Sequence, residues 1–381
     1  MSIARRGALL LLLLPLSLQA GEKDEAVYAR AVEWLLAKQH DNGGFGQIPG
    51  EEPGELGMTG LAVKALAGAP EPHRKKAAAA LEKGVGFILG CRQQDGSFVQ
   101  PRSGLATYRT AIAILALSAV DRQKYAKEIA GAAAWLKEEQ LDQGDQLDPS
   151  KPHFGGFGYG KGGRGGGGAD LSNSHLALAA LEQAGIPADD PVFQRAMTFI
   201  KRCQNNSETN DAVAGLKPLD DGGFFYDPAP PRDSESMNQD GTHSHASYAG
   251  MTYSGLLSLV YCGAAQDDPA VKAALTWVGE HYTLEENSGM GSRGNASGSQ
   301  GGLYYYYHSF AKCLAALGKP TVETKQGQRR WARELFDALA SRQAADGSFA
   351  NTDPRWWEKD PVLVTTYVLN AMNYARPFLE D

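Results

Sequence analysis

Two kinds of apolar segment alternate along the chain. The first is amphipathic, with charged residues along one side, as at Glu33 and Lys38 or Lys137 and Glu138, and it ends in Gln. A Gly-aromatic turn follows, then a second segment that is apolar at helical spacing nearly all round. The first kind predicts a helix with one face in solvent and the second a helix buried on all sides. The clearest copies are Trp34 to Gln39 with Asn42-Gly43-Gly44-Phe45, Phe87 to Gln93 with Asp95-Gly96-Ser97-Phe98, and Leu339 to Gln343 with Asp346-Gly347-Ser348-Phe349. Weaker copies lie at 135–140 with the turn at 155–157, 199–204 with 221–224, and 277–281 with 289–291. The buried segments are expected at 59–66, 110–117, 174–181, 254–261, 309–316 and 365–372.

Six helix pairs follow from this count. No single pair buries its apolar face alone, so the pairs must stack, either as an open solenoid of the TPR or HEAT kind or as a closed ring. Periodicity leaves both open, and the turn chemistry favours closure. At 381 residues the chain exceeds the usual single core, and a repetitive domain that grows by added units accounts for its length. The 45 glycines cluster between the apolar segments, where they read as turns.

Residues 1–20 read as a signal peptide, with Arg5 and Arg6 ahead of the apolar run 9–14 and a cleavage site after Ala20. The expected mature chain is then one domain, 21–381, exported to the periplasm or secreted. The apolar run is too short for a stable transmembrane span. A formal charge of −7 with no basic block argues against a nucleic-acid partner, because phosphate neutralisation needs clustered Lys and Arg. Cys91, Cys203, Cys262 and Cys313 are scattered and form no Cys-x-x-Cys pair, so neither a zinc ribbon nor a redox motif is expected. The run 155–162 approaches phosphate-loop spacing, but Gly162 stands where Ser or Thr is needed. Asn205-Asn206-Ser207 and Asn295-Ala296-Ser297 match glycosylation acceptors, a pattern that arises often by chance.

The Gln, Gly and aromatic signature resembles the repeat motifs of the terpenoid cyclase and protein prenyltransferase β-subunit superfamily. The likeness is greatest to secreted bacterial proteins with prenyltransferase and squalene oxidase repeats, in the stretches 302–308 and 170–175. The resemblance implies an all-α fold, an (α/α)6 toroid, with an apolar central cavity for a prenyl chain or polyene. It also draws attention to His308, because Tyr307-His308 opening an inner helix is similar to the setting of the family's zinc-binding histidine. The Asp-x-Cys expected on the preceding inner helix is missing, and so is the Asp-x-Asp-Asp acid of class II cyclases. No cofactor is therefore expected; zinc would need His243 and His245 to join His308.

Aligning the repeats places Met58, Arg109, Asn173, Tyr253, His308 and Val364 at the mouth of such a cavity, one step before each buried segment. Arg109, Asn173, Tyr253, Tyr304 and Tyr307 are the candidate ligand-binding residues, with Arg109 suited to an anionic group; the aromatic run 304–307, of which helical spacing lets two at most face inward, could line the funnel with Phe224, Phe225, Tyr226, Trp356 and Trp357. His308 and Asp170 are the candidate catalytic residues; Asp170 also suits an N-cap. Asp220-Asp221 beside the 222–224 turn reads as a turn-capping pair. Three functions remain in view: a toroid that binds an apolar or isoprenoid molecule without converting it, a cyclase or prenyltransferase-type enzyme with unorthodox residues, and an extracellular protein or glycan interaction module.

Overall fold

In a computed structural model, residues 16–379 are described apart from 102–103, 146, 161–167, 232–236 and 292–297. The signal-peptide residues before 16, the tract 161–167 and the 295–297 acceptor therefore lie outside the described residues. The buried segments form the inner helices α2 (Leu56–Ala67), α5 (Ala106–Asp121), α7 (Leu171–Ala184), α9 (Ala249–Tyr261), α11 (Leu303–Ala316) and α13 (Pro361–Ala375). The amphipathic segments form the outer helices α1 (Leu16–Leu36), α4 (Ala78–Gly90), α6 (Ala126–Glu138), α8 (Pro191–Arg202), α10 (Pro269–Glu280) and α12 (Trp331–Arg342). A short α3 (Glu71–Lys76) and an antiparallel hairpin of β1 (Val322–Thr324) and β2 (Gly327–Arg329) complete the chain; the hairpin had no signal in the apolar pattern.

The inner helices pack in chain order, α2 on α5, then α7, α9, α11 and α13, and α13 returns to α2. The ring is closed, which excludes the open solenoid. The fold is an (α/α)6 toroid.

Each turn is held in the same way. Gln39, Gln140, Gln204 and Gln343 each use one side-chain amide to bond a carbonyl of their own turn and a carbonyl of the next outer helix, near its start for the first three and at Val27 within α1 for Gln343, as when Gln140 donates to Gly155 at 2.8 Å and to Val192 at 2.9 Å. The second repeat differs from expectation. Arg92, not Gln93, stands opposite Phe98, the place Gln204 takes opposite Phe224, and exposed Gln93 donates only locally to the Cys91 carbonyl.

The turn aromatics Phe45, Phe98, Phe157, Phe224 and Phe349 are fully buried, worth roughly 1.5–3 kcal/mol each relative to exposure. Their backbone N–H groups donate to Thr59, Thr110, Ser174, Thr252 and Thr365 near the start of the next inner helix. The turn glycines are required by close approach: Gly43 sits at φ 87° with the Lys83 carbonyl oxygen 2.3 Å from where a Cβ would lie.

These hydroxyl contacts fix the register of the inner helices. In the fourth repeat the staple is Thr252, two residues before the expected Ser254. In the fifth the helix begins at Leu303, so the first-turn positions are 303–306 and His308 lies deeper.

Candidate functional site

The N-terminal ends of the inner helices surround a cavity of about 350 Å³. Corrected for register, Met58, Asn173, Met251 and Tyr305 come from α2, α7, α9 and α11. Tyr305 forms the floor: its hydroxyl stands 3.3 Å from Ser172 Oγ on α7 and 3.3 Å from Ser254 Oγ on α9, and its ring meets Tyr367 edge-on at 6.0 Å. Tyr108, Tyr159, Tyr226 and Tyr248 line the walls, and Trp356 and Trp357 stand at the rim, 44% and 48% exposed. Both tryptophans hold left-handed backbone, φ 52° and 67°, a conformation costly for a residue with a Cβ. Arg355 lies over the Trp356 ring at 4.3 Å.

Three glutamates and no Lys, Arg or His occur among the described lining residues. Glu55 caps α2 by accepting from Met58 N–H at 2.7 Å, and its other oxygen accepts from Arg109 Nε at 2.8 Å. Arg109 is fully enclosed, so its charge is directed at Glu55.

Glu358 is also fully buried, in the turn between α12 and α13, and accepts from Tyr305 N–H at 2.7 Å, Tyr304 N–H at 3.3 Å and Asn351 Nδ2 at 2.6 Å. Burial pushes its pKa up to about 7 despite those donors. Across the mouth, Asp170 caps α7, accepting from Asn173 N–H at 2.8 Å and from Asn173 Nδ2 at 2.7 Å. Burial raises it to about 6, opposed by the Asn173 bonds and by the Tyr226 hydroxyl, which in turn meets the Tyr159 hydroxyl at 3.0 Å. Two carboxyls thus sit in or behind an aromatic wall with a proton close at hand near neutral pH.

Of the residues singled out in the sequence, Asn173 lines the cavity and Asp170 stands directly behind it. Tyr253 turns into the wall, packed on Tyr306 and Phe310 at 5.7 and 5.1 Å. Tyr304 packs on Tyr307 and Phe349, and the Tyr307 hydroxyl donates to the Leu284 carbonyl at 2.5 Å. His308 lies below the floor, stacked on Tyr367 at 5.5 Å. Asp221 accepts from Gly223 N–H at 2.9 Å, consistent with a turn cap. The four cysteines are free thiols.

Residues 8–159 and 171–355 match the sequence profile of the family described as prenyltransferase alpha-alpha toroid domain. The chain belongs to this family. No curated protein matches it by sequence. Among solved structures, the toroid is similar to the type II terpene cyclase MstE from Scytonema in complex with geranylgeranyl dihydroxybenzoate, at 14% identity and a TM-score of 0.59, over 95% of this chain and 99% of that one. It is also similar to an alpha-1,6-mannanase from Salegentibacter sp., at 12% identity and a TM-score of 0.56, over 94% and 99%. Such likenesses establish the fold alone.

The zinc set of prenyltransferase-type toroids is not assembled by these residues. His243 and His245 face each other at 5.2 Å and point Nε2 at the carbonyls of Pro228 and Ala229. No group of three His, Cys, Asp or Glu among the described residues is placed to hold a metal ion.

Glu55, Tyr108, Tyr159 and Glu358 line the cavity without being singled out in the sequence, whereas Tyr305, Trp356 and Trp357 belong to the aromatics that the sequence offers for that lining. The adjacent tryptophans were visible as aromatics, and Glu358 follows them directly. Nothing in the repeat pattern marks that turn as folding over the mouth.

Proposed function

We propose that the mouth cavity binds a neutral, apolar ligand of isoprenoid type. The observation that carries this reading is the lining: tyrosine and tryptophan faces with methionine and leucine, and no cationic side chain among its described residues. An anionic head group at this mouth would meet Glu51, Glu55 and Glu358, whereas an uncharged chain gains from burial against the rings. The MstE complex carries a geranylgeranyl compound, and apolar ligand binding suits the same fold.

A second reading rests on the two raised carboxyls. A protonated Glu358 is suited to act as a general acid toward a bound alkene, with the aromatic faces stabilising the resulting cation. Asp170, joined to the wall through Asn173 and Tyr226, would position that wall rather than touch the ligand. We also propose that the protein is exported and that residues 1–20 are removed; intact mass and N-terminal sequencing of the protein from a native fraction test this.

The deciding experiment is titration of the purified protein with geranylgeraniol, followed by tryptophan fluorescence and native mass spectrometry. Saturable binding, weakened at least tenfold in Tyr305→Ala, supports the reading. Absence of binding, or binding of mannotriose in its place, overturns it. Appearance of a cyclised product that Glu358→Gln abolishes selects the acid mechanism.

A further inference from the structure

Below the tyrosine floor, the lumen holds a second polar group that the mouth cavity does not use. Lys312 on α11 and His175 on α7 meet across the ring, Nζ to Nε2 at 3.3 Å, although α9 stands between their helices in the packing order. His175 Nδ1 lies 3.1 Å from Ser258 Oγ on α9. Lys64 reaches in from α2 and donates to Asn370 Oδ1 at 2.9 Å and Tyr374 hydroxyl at 2.7 Å, both on α13. His308, one turn before Lys312, lies 6.0 Å from the Tyr374 ring, and its Nε2 is buried with no hydrogen-bond partner. Four nitrogen bases from three helices therefore converge in this part of the lumen, close enough to act on one another's charge.

Their charges are mutually felt and weakly opposed. Lys64 and Lys312 both bear on His308, while Lys312 and His308 bear on His175, and burial holds both imidazoles well below their usual range. Burial, then Lys64, brings Lys312 down to about 7. The carboxylate that bears on Lys312 is Glu182, an exposed residue, and neither lysine forms an ion pair with a carboxylate among the described residues. Converging buried bases without a counter-charge are costly unless something supplies one. The two ammonium groups can only donate, and His308 Nε2, the nitrogen here without a partner, donates when it carries the ring proton, so an acceptor suits all three.

We infer that this part of the lumen is a binding site for a small oxyanion, specifically a phosphate group, held by Lys64 and Lys312 with His308 Nε2 as a third donor. A phosphate dianion matches two ammonium charges and offers acceptors only. Lys64 and His308 keep partial exposure, which leaves the site open to solvent. Because the mouth cavity contributes none of these residues, the site stands or falls separately from the apolar-ligand reading.

Inorganic phosphate titrated into the full protein, in a buffer free of other oxyanions, tests the inference. Calorimetry is expected to show binding with proton uptake at pH 8, as Lys312 regains its proton, and the thermal midpoint should rise. The double variant Lys64→Met, Lys312→Met should lose at least tenfold in affinity while remaining at least as stable as the parent without phosphate. His308→Gln, which keeps both charges, should lose several-fold. The 15N resonance of His308 must move on phosphate addition, which binding at a surface arginine would not cause. A parallel titration with decyl phosphate separates sources: tighter binding than inorganic phosphate indicates a head group, equal or weaker binding a free ion. No phosphate affinity in the parent, affinity retained by the double variant, or an unmoved His308 resonance overturns the site.

Discussion

Gln343, at the end of the last outer helix, donates its side-chain amide to the Val27 carbonyl on the first, at 2.8 Å across 316 residues of chain. The same amide bonds the Gly347 carbonyl in its own turn at 3.0 Å. One side chain thereby joins the two ends of the ring with the bonds that Gln39, Gln140 and Gln204 use inside it. Gln343→Ala leaves two carbonyls without these donors and should cost about 1–3 kcal/mol in urea unfolding. Gln93→Ala, at an exposed position, should change stability by less than about 0.5 kcal/mol. Equal losses in the two variants would refute the assignment of Arg92 to the staple position.

The turn glycines give a graded test. Gly155 has φ 83° and the Arg195 carbonyl oxygen 2.0 Å from its missing Cβ, whereas Gly50 has the same φ with open space around it. Gly50→Ala should show only the left-handed backbone cost, about 1–2 kcal/mol. Gly155→Ala must also push the α8 backbone away and should cost clearly more, read from the midpoints of denaturant unfolding.

Glu358 and Asp170 set a pH dependence for the mouth cavity. A neutral apolar ligand that expels water favours the protonated carboxyls, so its affinity should be highest below about pH 6 and fall as pH rises through about 7. A cationic ligand would show the reverse slope. Stability carries the same sign over a wider window: both carboxyls have raised values in the folded state, so their burial penalty is absent below the ordinary values of 3.8 and 4.5, grows as pH rises from there, and levels off above about 6 for Asp170 and about 7 for Glu358. Geranylgeraniol titrations at a series of pH values, repeated with Glu358→Gln, check the slope and its origin.

Trp357 holds a left-handed backbone conformation while nearly half exposed. Trp357→Gly relieves that strain, so the folded protein should be as stable or up to about 1 kcal/mol more stable. Ligand affinity should nevertheless drop, because a rim face is lost. Thermal melts and ligand titrations on the same sample decide this, and a destabilised variant with unchanged affinity would show that the tryptophan serves packing alone.

The ring was legible in the sequence because its staples use residue types that few others replace: a Gln that reaches two carbonyls, a glycine at positive φ and a buried Phe. The mouth was less legible because register depends on turns of different length. Between Gln204 and Phe224 a long insertion intervenes, and in the fifth repeat His281 and Met290 stand where Gln and Phe stand elsewhere, so Ser254 and His308 read as first-turn residues when Thr252 and the 303–306 stretch hold that place. Four successive tyrosines cannot reveal helix phase, and Tyr305 rather than Tyr304 or Tyr307 faces the cavity. Contacts across the lumen, such as Lys312 with His175, join helices that are not neighbours in the ring, and no local pattern encodes them.

The join between Gln343 and Val27 also constrains how the protein is made. Helix α1 leaves the ribosome first, yet the helices it packs on, α12 and α13, are the last to be synthesised. Its apolar face, with Val27, Tyr28, Ala31 and Leu35, is only partly seated until then, through contacts such as Tyr28 with His73 of α3 at 5.2 Å. The nascent chain must therefore carry an incompletely seated first helix through nearly the whole of translation, and the final step of folding is one that a truncated chain cannot perform.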